Sequence, residues 1–270
     1  MSSEPSPQLE LHIEKLVYGG DGLARSDGRV VLTPFVLPGE TVTAEVRRAK
    51  NDLLRGDLRQ VLHPSEARIE PSCPYFFRCG GCHYQHAPAS YQASQKIAIL
   101  REVLRRVGHV EFDRDIEVVE GEPWHYRNRV QLHIDQGHVG YFSAGSHDIV
   151  AIDHCPISSP KLNDIIGALA RDLPHYRWFG GTVELFTNET EVQVNVLDRI
   201  PPSVRPLFEN LGSAEPIEYA GFRVSRNSFF QVNRFLVDAL VETAVRDSSG
   251  DSALDLYAGV GLFATHLARA

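Results

Sequence analysis

The sequence contains 270 residues, of which 43% are apolar, and its formal net charge is −8. This length suggests about two domains with buried cores, and the acidic balance disfavours a protein that binds nucleic acid through bulk charge alone. Because residues 1–10 are polar and acidic and no run of about 18 apolar residues occurs, we expect a cytoplasmic protein with neither a signal peptide nor a membrane span.

Residues 1–64 are predicted to form a small β-barrel of the OB type. Apolar and polar residues alternate over 41–47, which is the period of a half-buried strand, and 30–32 form a shorter apolar strand. Glycine and proline mark turns at 19–22 and 38–40. Barrels of this type often bind RNA.

A cluster of basic residues lies in the second half of this predicted barrel. It is either a phosphate-binding patch or a solvated strand face. If it binds phosphate, reversing its charges should weaken binding to all RNA sequences alike. Its members are Arg47, Arg48, Lys50, Arg55 and Arg59.

All four cysteines follow one pattern, Cys73-x5-Cys79-x2-Cys82 and then the distant Cys155. Four thiolates form a complete ligand set for one tetrahedral metal ion or one cubane iron–sulfur cluster. The spacing favours iron, because structural zinc sites usually pair two short knuckles, and because Cys155 is followed by Pro156, as in many iron–sulfur loops.

Two alternatives to an iron–sulfur site remain open. Zinc is the second metal that four thiolates would suit. The cysteines could also be ordinary buried residues of a reduced protein, with a catalytic thiol among them.

The segment after the cysteine loop has the period of a helix that starts near Ser90 and stops at Gly108. We expect its apolar stripe to lie in the core. The stripe consists of Ala93, Ile97, Leu100, Leu104 and Val107.

Residues 65–225 are predicted to form a central, mainly β domain that carries the cysteine loop. One of its strands should end at Cys155, so that folding of the sheet brings this thiol to the other three. The strand signals are at 130–134, 139–142, 149–152 and 192–196.

Residues 226–270 are predicted to begin a Rossmann-like domain. Residues 253–257 have the pattern of a buried strand, and 259–264 read G-x-G-x-x-A, the setting in which a nucleotide-type cofactor lies against glycine backbone. A plain tight turn is the alternative. Such a domain needs several more β–α units, so we expect this sequence to be the front portion of a longer, α/β multidomain enzyme.

A helix should precede that strand, directly after the segment 228–233, Ser-Phe-Phe-Gln-Val-Asn. Its expected apolar positions are Val232, Phe235, Leu236, Ala239, Leu240 and Ala244.

These motifs, taken together and in this order, resemble the RNA 5-methyluridine methyltransferase family. The resemblance spans the chain and is greatest to the branch that has an N-terminal TRAM domain and methylates 23S ribosomal RNA. The motifs that carry it are the Tyr-Gly-Gly-Asp-Gly turn at 18–22, the cysteine loop at 73–86, Tyr-Arg-Asn-Arg at 126–129, Asp-His-Cys-Pro at 153–156, Ser-Phe-Phe-Gln-Val-Asn at 228–233 and Asp-Leu-Tyr-Ala-Gly-Val-Gly at 255–261.

The resemblance implies a 4Fe–4S cluster on the four cysteines and a pocket for S-adenosylmethionine. Gln231 and Tyr257 would contact the cofactor, Gly259 and Gly261 would offer backbone, and Leu262 occupies a cofactor-contact position where some members have asparagine. For Leu262 we therefore expect only a backbone approach. The family partner is RNA, and we expect a monomer.

The chemistry that the resemblance implies is methyl transfer to C5 of a uridine, after a cysteine thiolate has added to C6. A carboxylate base then removes the C5 proton. In the family both groups follow the cofactor glycines, so we expect them beyond Ala270 and assign no catalytic residue here. This chain alone would then be inactive.

Three other interpretations remain: a non-catalytic iron–sulfur module that binds RNA, a transfer RNA substrate, and a dinucleotide-dependent oxidoreductase. The segment 228–233 disfavours the oxidoreductase, because it has no role in hydride transfer.

Overall fold

The computed structural model describes residues 7–48 and 53–268, without the side chain of Arg48. Lys50 of the predicted basic cluster, residues 1–6 and Ala270 lie outside the described residues.

The chain divides into two compact units, Met1–Val118 and Val119–Ala270. Each unit is described by itself. The finer division into domains at 1–64, 65–225 and 226–270 stays a prediction.

The first unit is built on a six-stranded sheet in the order β1-β5-β6-β4-β3-β2, in which only β4 and β6 pair in parallel among the described strands. The alternation over 41–47 and the apolar run at 30–32 both lie in strands, as predicted. Closure into a barrel stays a prediction. The strands are β1 (Gln8–His12), β2 (Lys15–Leu16), β3 (Gly22–Ser26), β4 (Arg29–Thr33), β5 (Thr41–Arg48) and β6 (Leu54–His63).

The core of this sheet is entirely aliphatic. One residue from almost every strand contributes to it, because alternate side chains of a strand point to the same face. The buried members include Leu11, Ala24, Val31, Val42, Ala44 and Val46.

Helix α1 (Ala89–Arg106) follows the cysteine loop. It is capped by Pro88, without a side-chain hydrogen bond, so the prediction that Ser90 caps it is wrong. It ends where expected, since the Gly108 amide donates to the Val103 carbonyl at 3.2 Å.

The predicted buried stripe of α1 is only partly right. Leu100 is 44% and Val107 is 75% exposed, whereas Ile99 is 9% exposed. Helical periodicity identifies a stripe but not its centre, which depends on what the helix packs against. Ala93, Ile97 and Leu104 are half-buried as members of the predicted stripe, but Ile99, the buried residue of this helix, lies outside it.

The second unit contains an antiparallel five-stranded sheet in the order β11-β10-β7-β8-β9. All four strand signals of the sequence lie in it, and they fall on β7, β8, β9 and β11. The strands are β7 (Arg129–Asp135), β8 (His138–Phe142), β9 (Ile149–Ala151), β10 (Gly181–Thr187) and β11 (Val192–Val196).

Helix α2 (Pro160–Asp172) lies between β9 and β10, and a short 3-10 turn (Leu173–Tyr176) follows it. The Ser159 hydroxyl caps it by accepting from the Leu162 amide. The expectation that a strand ends at Cys155 is wrong, because β9 ends at Ala151 and Cys155 lies in the loop before α2.

The rest of the unit is a short helix, a hairpin and two further helices. They are α3 (Arg205–Glu209), β12 (Ile217–Tyr219), β13 (Phe222–Val224), α4 (Val237–Val245) and α5 (Leu262–Leu267).

Helix α4 begins later than predicted, at Val237, and it buries Val237 and Val241. Phe235 and Leu240 of the predicted apolar face are 41% and 39% exposed.

The buried strand predicted at 253–257 is wrong. These residues form no strand in the described chain, and Leu254 and Leu256 are 82% and 71% exposed. A strand requires a neighbour with which to exchange backbone hydrogen bonds, and none of the described strands pairs with this segment.

In the part of the chain that is described, no helix combines the length and the apolar character that a membrane span requires.

Candidate functional site

Two segments that are predicted to contact the cofactor meet in one hydrophobic cluster of the second unit. Phe230 and Leu262 are both buried in this cluster, with 1% and 6% exposure. A Cβ atom placed on Gly259 would lie 3.7 Å from the Phe229 carbonyl oxygen. The segment 228–233 and the glycine turn are therefore neighbours.

The Tyr-Arg-Asn-Arg motif holds the segment 228–233 in place. The Asn128 amide donates to the Val232 carbonyl at 3.0 Å, and the Asn128 side-chain Nδ2 donates to the Gln231 carbonyl at 3.2 Å. Asn128 is fully buried. Gln231 keeps a partly exposed side chain, so its backbone is fixed while its amide group stays accessible.

The glycine turn has the conformation that its sequence requires. Gly259 and Gly261 have φ values of 58° and 84°, in the left-handed region where a side chain is strained. The turn leads into α5, whose Ala264 amide donates to Asp255 Oδ2 at 3.1 Å. Tyr257 is fully exposed beside it.

Leu262 is packed in the core rather than exposed at the turn. A side chain buried among aromatic residues is not available to a ligand. The approach of a cofactor to the backbone at this position stays a prediction.

Arg129 lies beneath this cluster. Its guanidinium carbon is 4.5 Å from the centroid of the Phe186 ring, and its Nη1 lies 3.4 Å from Glu184 Oε1. Burial lowers the pKa of Arg129, and the Glu184 carboxylate opposes this shift. A cation is thus held against the aromatic core by an ion pair and by the ring face.

In the first unit, Cys73, Cys79 and Cys82 share one tight loop. The Phe76 amide donates to the Cys73 carbonyl at 3.1 Å, and the Gly81 amide donates to Cys79 Sγ at 3.4 Å.

Aromatic rings anchor this loop. The Phe76 ring centroid lies 5.2 Å from that of Phe35 and 5.7 Å from that of His86. Burial, and then the charge of Arg68, lower the pKa of His86 to about 4, so this histidine is neutral at physiological pH. Phe77 has a φ of 71°, which is strained for a bulky residue and persists only where the surroundings fix it.

Cys155 lies in the second unit, where Asn163 of α2 braces it. The Cys155 amide donates to Asn163 Oδ1 at 2.7 Å, and Asn163 Nδ2 donates back to the Cys155 carbonyl at 3.1 Å. Burial, and then the charge of Cys155, raise the pKa of Tyr141 well above its ordinary value. The two hydrogen bonds with Asn163 hold the backbone at Cys155 rigidly.

Sequence reasoning missed Asn163 because it missed α2. A signal was present: Leu162, Ile165, Ile166 and Leu169 have helical spacing directly after the Ser159-Pro160 cap.

The donor chemistry of the four cysteines fits an iron–sulfur cluster, since all are thiols and one accepts an amide hydrogen bond. Within the described ranges, however, no group of three or more His, Cys, Asp or Glu residues is placed to hold a metal ion. The iron–sulfur and zinc alternatives both stay predictions.

The predicted basic patch is largely neutralised. Each arginine of it whose side chain is described pairs with a carboxylate. The pairs are Arg47 with Asp57, Arg55 with Asp21 and Arg59 with Glu45. Asp57 and Glu45 lie on the neighbouring strand of the β5–β6 pair, and Asp21 lies just before β3, so the solvated strand face is the better description of this surface.

With this geometry in place, we compared the chain with known proteins. The TRAM domain family matches residues 8–58. An uncharacterised RNA methyltransferase of Aquifex aeolicus is 31% identical, and the match covers 97% of this chain and 69% of that protein. The 23S rRNA (uracil(1939)-C(5))-methyltransferase RlmD of Pectobacterium atrosepticum is 30% identical, over 98% of this chain and 67% of that protein.

A solved structure is also similar. The crystal structure of the Pyrococcus abyssi tRNA (uracil-54, C5)-methyltransferase in complex with S-adenosyl-L-homocysteine has a TM-score of 0.71 and 25% identity, over 96% of this chain and 70% of that chain. This chain belongs to the family of RNA (uracil-C5) methyltransferases that carry a TRAM domain.

Proposed function

We propose that this protein takes part in the S-adenosylmethionine-dependent methylation of C5 of a uridine in ribosomal RNA. The observation that carries the proposal is the contact between the segment 228–233 and the glycine turn at 259–261, in a chain of this family. A glycine turn that lay far from the segment 228–233 would not support the proposal.

Five residues would hold the cofactor: Gln231, Tyr257, Gly259, Gly261 and Leu262. Gln231 and Tyr257 offer accessible side chains, the two glycines offer backbone that a ligand can approach closely, and Leu262 offers only its backbone. The cofactor supplies the methyl group when it is bound.

Uracil C5 is a weak nucleophile, so transfer requires a thiolate to add to C6 and a base to remove the C5 proton. We assign neither group among residues 1–270, because all four cysteines are proposed as cluster ligands. The 270-residue chain by itself is then expected to be inactive. The exposure of Leu254, Leu256 and Tyr257 supports this, since a cofactor pocket needs its apolar walls packed.

We also propose that Cys73, Cys79, Cys82 and Cys155 bind one 4Fe–4S cluster, with zinc as the alternative metal. The chain purified without oxygen should be brown and hold about four irons, as a four-thiolate cluster of this type does. Replacing Cys79 with serine should remove most of the iron, because the cluster loses one of its ligands.

Metal analysis of the purified protein tests this prediction. The matched control is His83→Ser, a change beside Cys82 that removes no thiol. Stoichiometric zinc without iron, or an iron content that Cys79→Ser leaves unchanged, would contradict the cluster.

Ribosomal RNA is the proposed substrate because RlmD of Pectobacterium atrosepticum acts on 23S rRNA and is similar over 98% of this chain. Transfer RNA is the second candidate, favoured by the solved structure of the Pyrococcus abyssi enzyme. A non-catalytic iron–sulfur module that binds RNA is the alternative to the enzyme. A cytoplasmic location and a monomeric state are further parts of the proposal.

The test is methyl transfer from labelled S-adenosylmethionine by the product of the complete gene that encodes this sequence. Transfer to unmodified ribosomal RNA supports the proposal. Transfer to transfer RNA alone favours the second candidate, and transfer to neither favours a non-catalytic module.

A further inference from the structure

A groove in the first unit lies between the strands β2 to β4 and helix α1. Its volume is about 710 Å³. Basic side chains dominate its charged lining, with one carboxylate among them: Lys15, Arg25, Arg29, Arg105, Arg106 and Glu102.

The carboxylate of the groove is already engaged. Glu102 Oε1 accepts from Lys15 Nζ at 2.6 Å and from Arg106 Nη1 at 3.0 Å, and its side chain is 18% exposed. The Lys15 hydrogen bond is the main cause that lowers the pKa of Glu102, so this carboxylate is ionised at neutral pH. One carboxylate therefore holds two cations and joins α1 to β2.

Two further cations are unpaired. The exposed side chains of Arg29 and Arg105 form no ion pair with any residue that the structure describes. Arg25, by contrast, lies 3.5 Å from Glu14. The groove thus keeps an excess of positive charge, although the whole chain has a net charge of −8.

The floor between these cations is apolar. Leu23, Val30 and Leu32 form it, from strands β3 and β4. Aliphatic side chains on the floor can pack against a ribose or a base, and the cations at the rim can bind a phosphate. Such contacts do not distinguish one RNA sequence from another.

We propose that this groove, rather than the Arg47–Arg59 strand face, binds the phosphodiester backbone of single-stranded RNA. The proposal rests on the proposed function and names the surface that holds its substrate. Charge decides between the two surfaces. Arg47, Arg55 and Arg59 of the strand face are each balanced by a carboxylate, whereas Arg29 and Arg105 have no such partner among the described residues.

The test measures how binding of a fluorescent single-stranded RNA depends on salt, with the 270-residue chain and two RNA sequences. Each phosphate contact on a single strand contributes about 0.7 to the slope of log K against log salt. The variant Arg29→Gln/Arg105→Gln should therefore lose about 1.4 from the slope for both sequences alike.

Two further variants separate charge from fold. Arg29→Lys/Arg105→Lys should keep the parent slope, because it keeps the charges. Arg47→Gln/Arg59→Gln removes the same number of positive charges from the strand face and should change the slope by less than half as much. Circular dichroism checks that each variant is folded.

If the parent binds RNA and Arg29→Gln/Arg105→Gln has the parent's salt slope, the groove is not the binding surface, but the proposed function is unaffected. The same conclusion follows if Arg47→Gln/Arg59→Gln loses as much of the slope as Arg29→Gln/Arg105→Gln does. A parent chain that binds neither RNA at low salt overturns both the groove and the RNA-binding part of the proposed function.

Discussion

Replacing Glu40 with glutamine is expected to lower the free energy of unfolding of the first unit by about 3–5 kcal/mol, the usual cost of breaking a buried ion pair. The Glu40 side chain is completely buried, and its Oε2 lies 2.7 Å from Arg68 Nη2. It also accepts from the Leu37 amide at 2.8 Å and the Ser65 amide at 3.1 Å. Glutamine would leave the charge of Arg68, whose side chain is only 17% exposed, without its counterion.

Because of the Glu40 carboxylate, we also expect the first unit to lose stability in acid. Burial tends to raise the pKa of Glu40, but the Arg68 hydrogen bond and the two amides outweigh it and hold the pKa below the ordinary value of 4.5. A lowered folded-state pKa means that the stabilisation is fully present above the unfolded pKa. It is lost as the pH falls below 4.5 and through the folded pKa.

Urea titration of the parent and the variant, at neutral pH and in acid, measures both effects. The control is Glu45→Gln, the same chemical change at an exposed ion pair with Arg59, which should cost less than about 1 kcal/mol. Equal costs for the two variants would mean that the buried pair contributes no more than a surface pair.

The change Phe230→Ala is expected to cost about 3–5 kcal/mol in the second unit, because it empties a buried aromatic site. Phe230 is 1% exposed, and its ring centroid lies 5.0 Å from that of Tyr219 and 6.2 Å from that of Phe186. It also carries the backbone of Gln231 against the core. Affinity for the cofactor should therefore fall together with stability.

The neighbouring Phe229 provides a matched control for this variant. Its side chain is 67% exposed, so Phe229→Ala removes the same ring at a cost within about 0.5 kcal/mol. Denaturant unfolding followed by circular dichroism compares the two variants. Similar losses at both positions would show that Phe230 is not a core residue of this unit.

The spacing of apolar residues along the sequence was sufficient to predict several strands. The apolar run at 30–32 lies in a strand with alternate buried residues, Val31 and Thr33, whereas the strand at 192–196 is buried on both faces. The same signal at Val183 and Leu185 marks β10, which sequence reasoning overlooked although the period was present.

The errors arose where distant residues decide the outcome. The stretch 253–257 has a strand pattern, but a strand needs a partner that this pattern does not specify. The arginines of β5 and β6 gave the impression of a basic patch, because their carboxylate partners lie 10, 34 and 14 positions away in the sequence. The groove beside α1 could not be predicted from the sequence, because Arg29 and Arg105 are far apart in the chain.

The motifs identified two segments that are neighbours in the fold. The segment 228–233 and the glycine turn do meet, through Phe230 and Leu262. Sequence reasoning assigned no role to Asn128 of the Tyr-Arg-Asn-Arg motif, whose contacts with Val232 and Gln231 fix one side of the site.

The most direct test of C5 methylation uses ribosomal RNA that carries tritium at C5 of its uridines, with labelled S-adenosylmethionine and the product of the complete gene. Methylation at C5 replaces the hydrogen there, so tritium should enter the water in an amount equal to the methyl groups incorporated. Methyl incorporation without release of tritium would place the methyl group on another atom and contradict uridine C5 methylation by this protein.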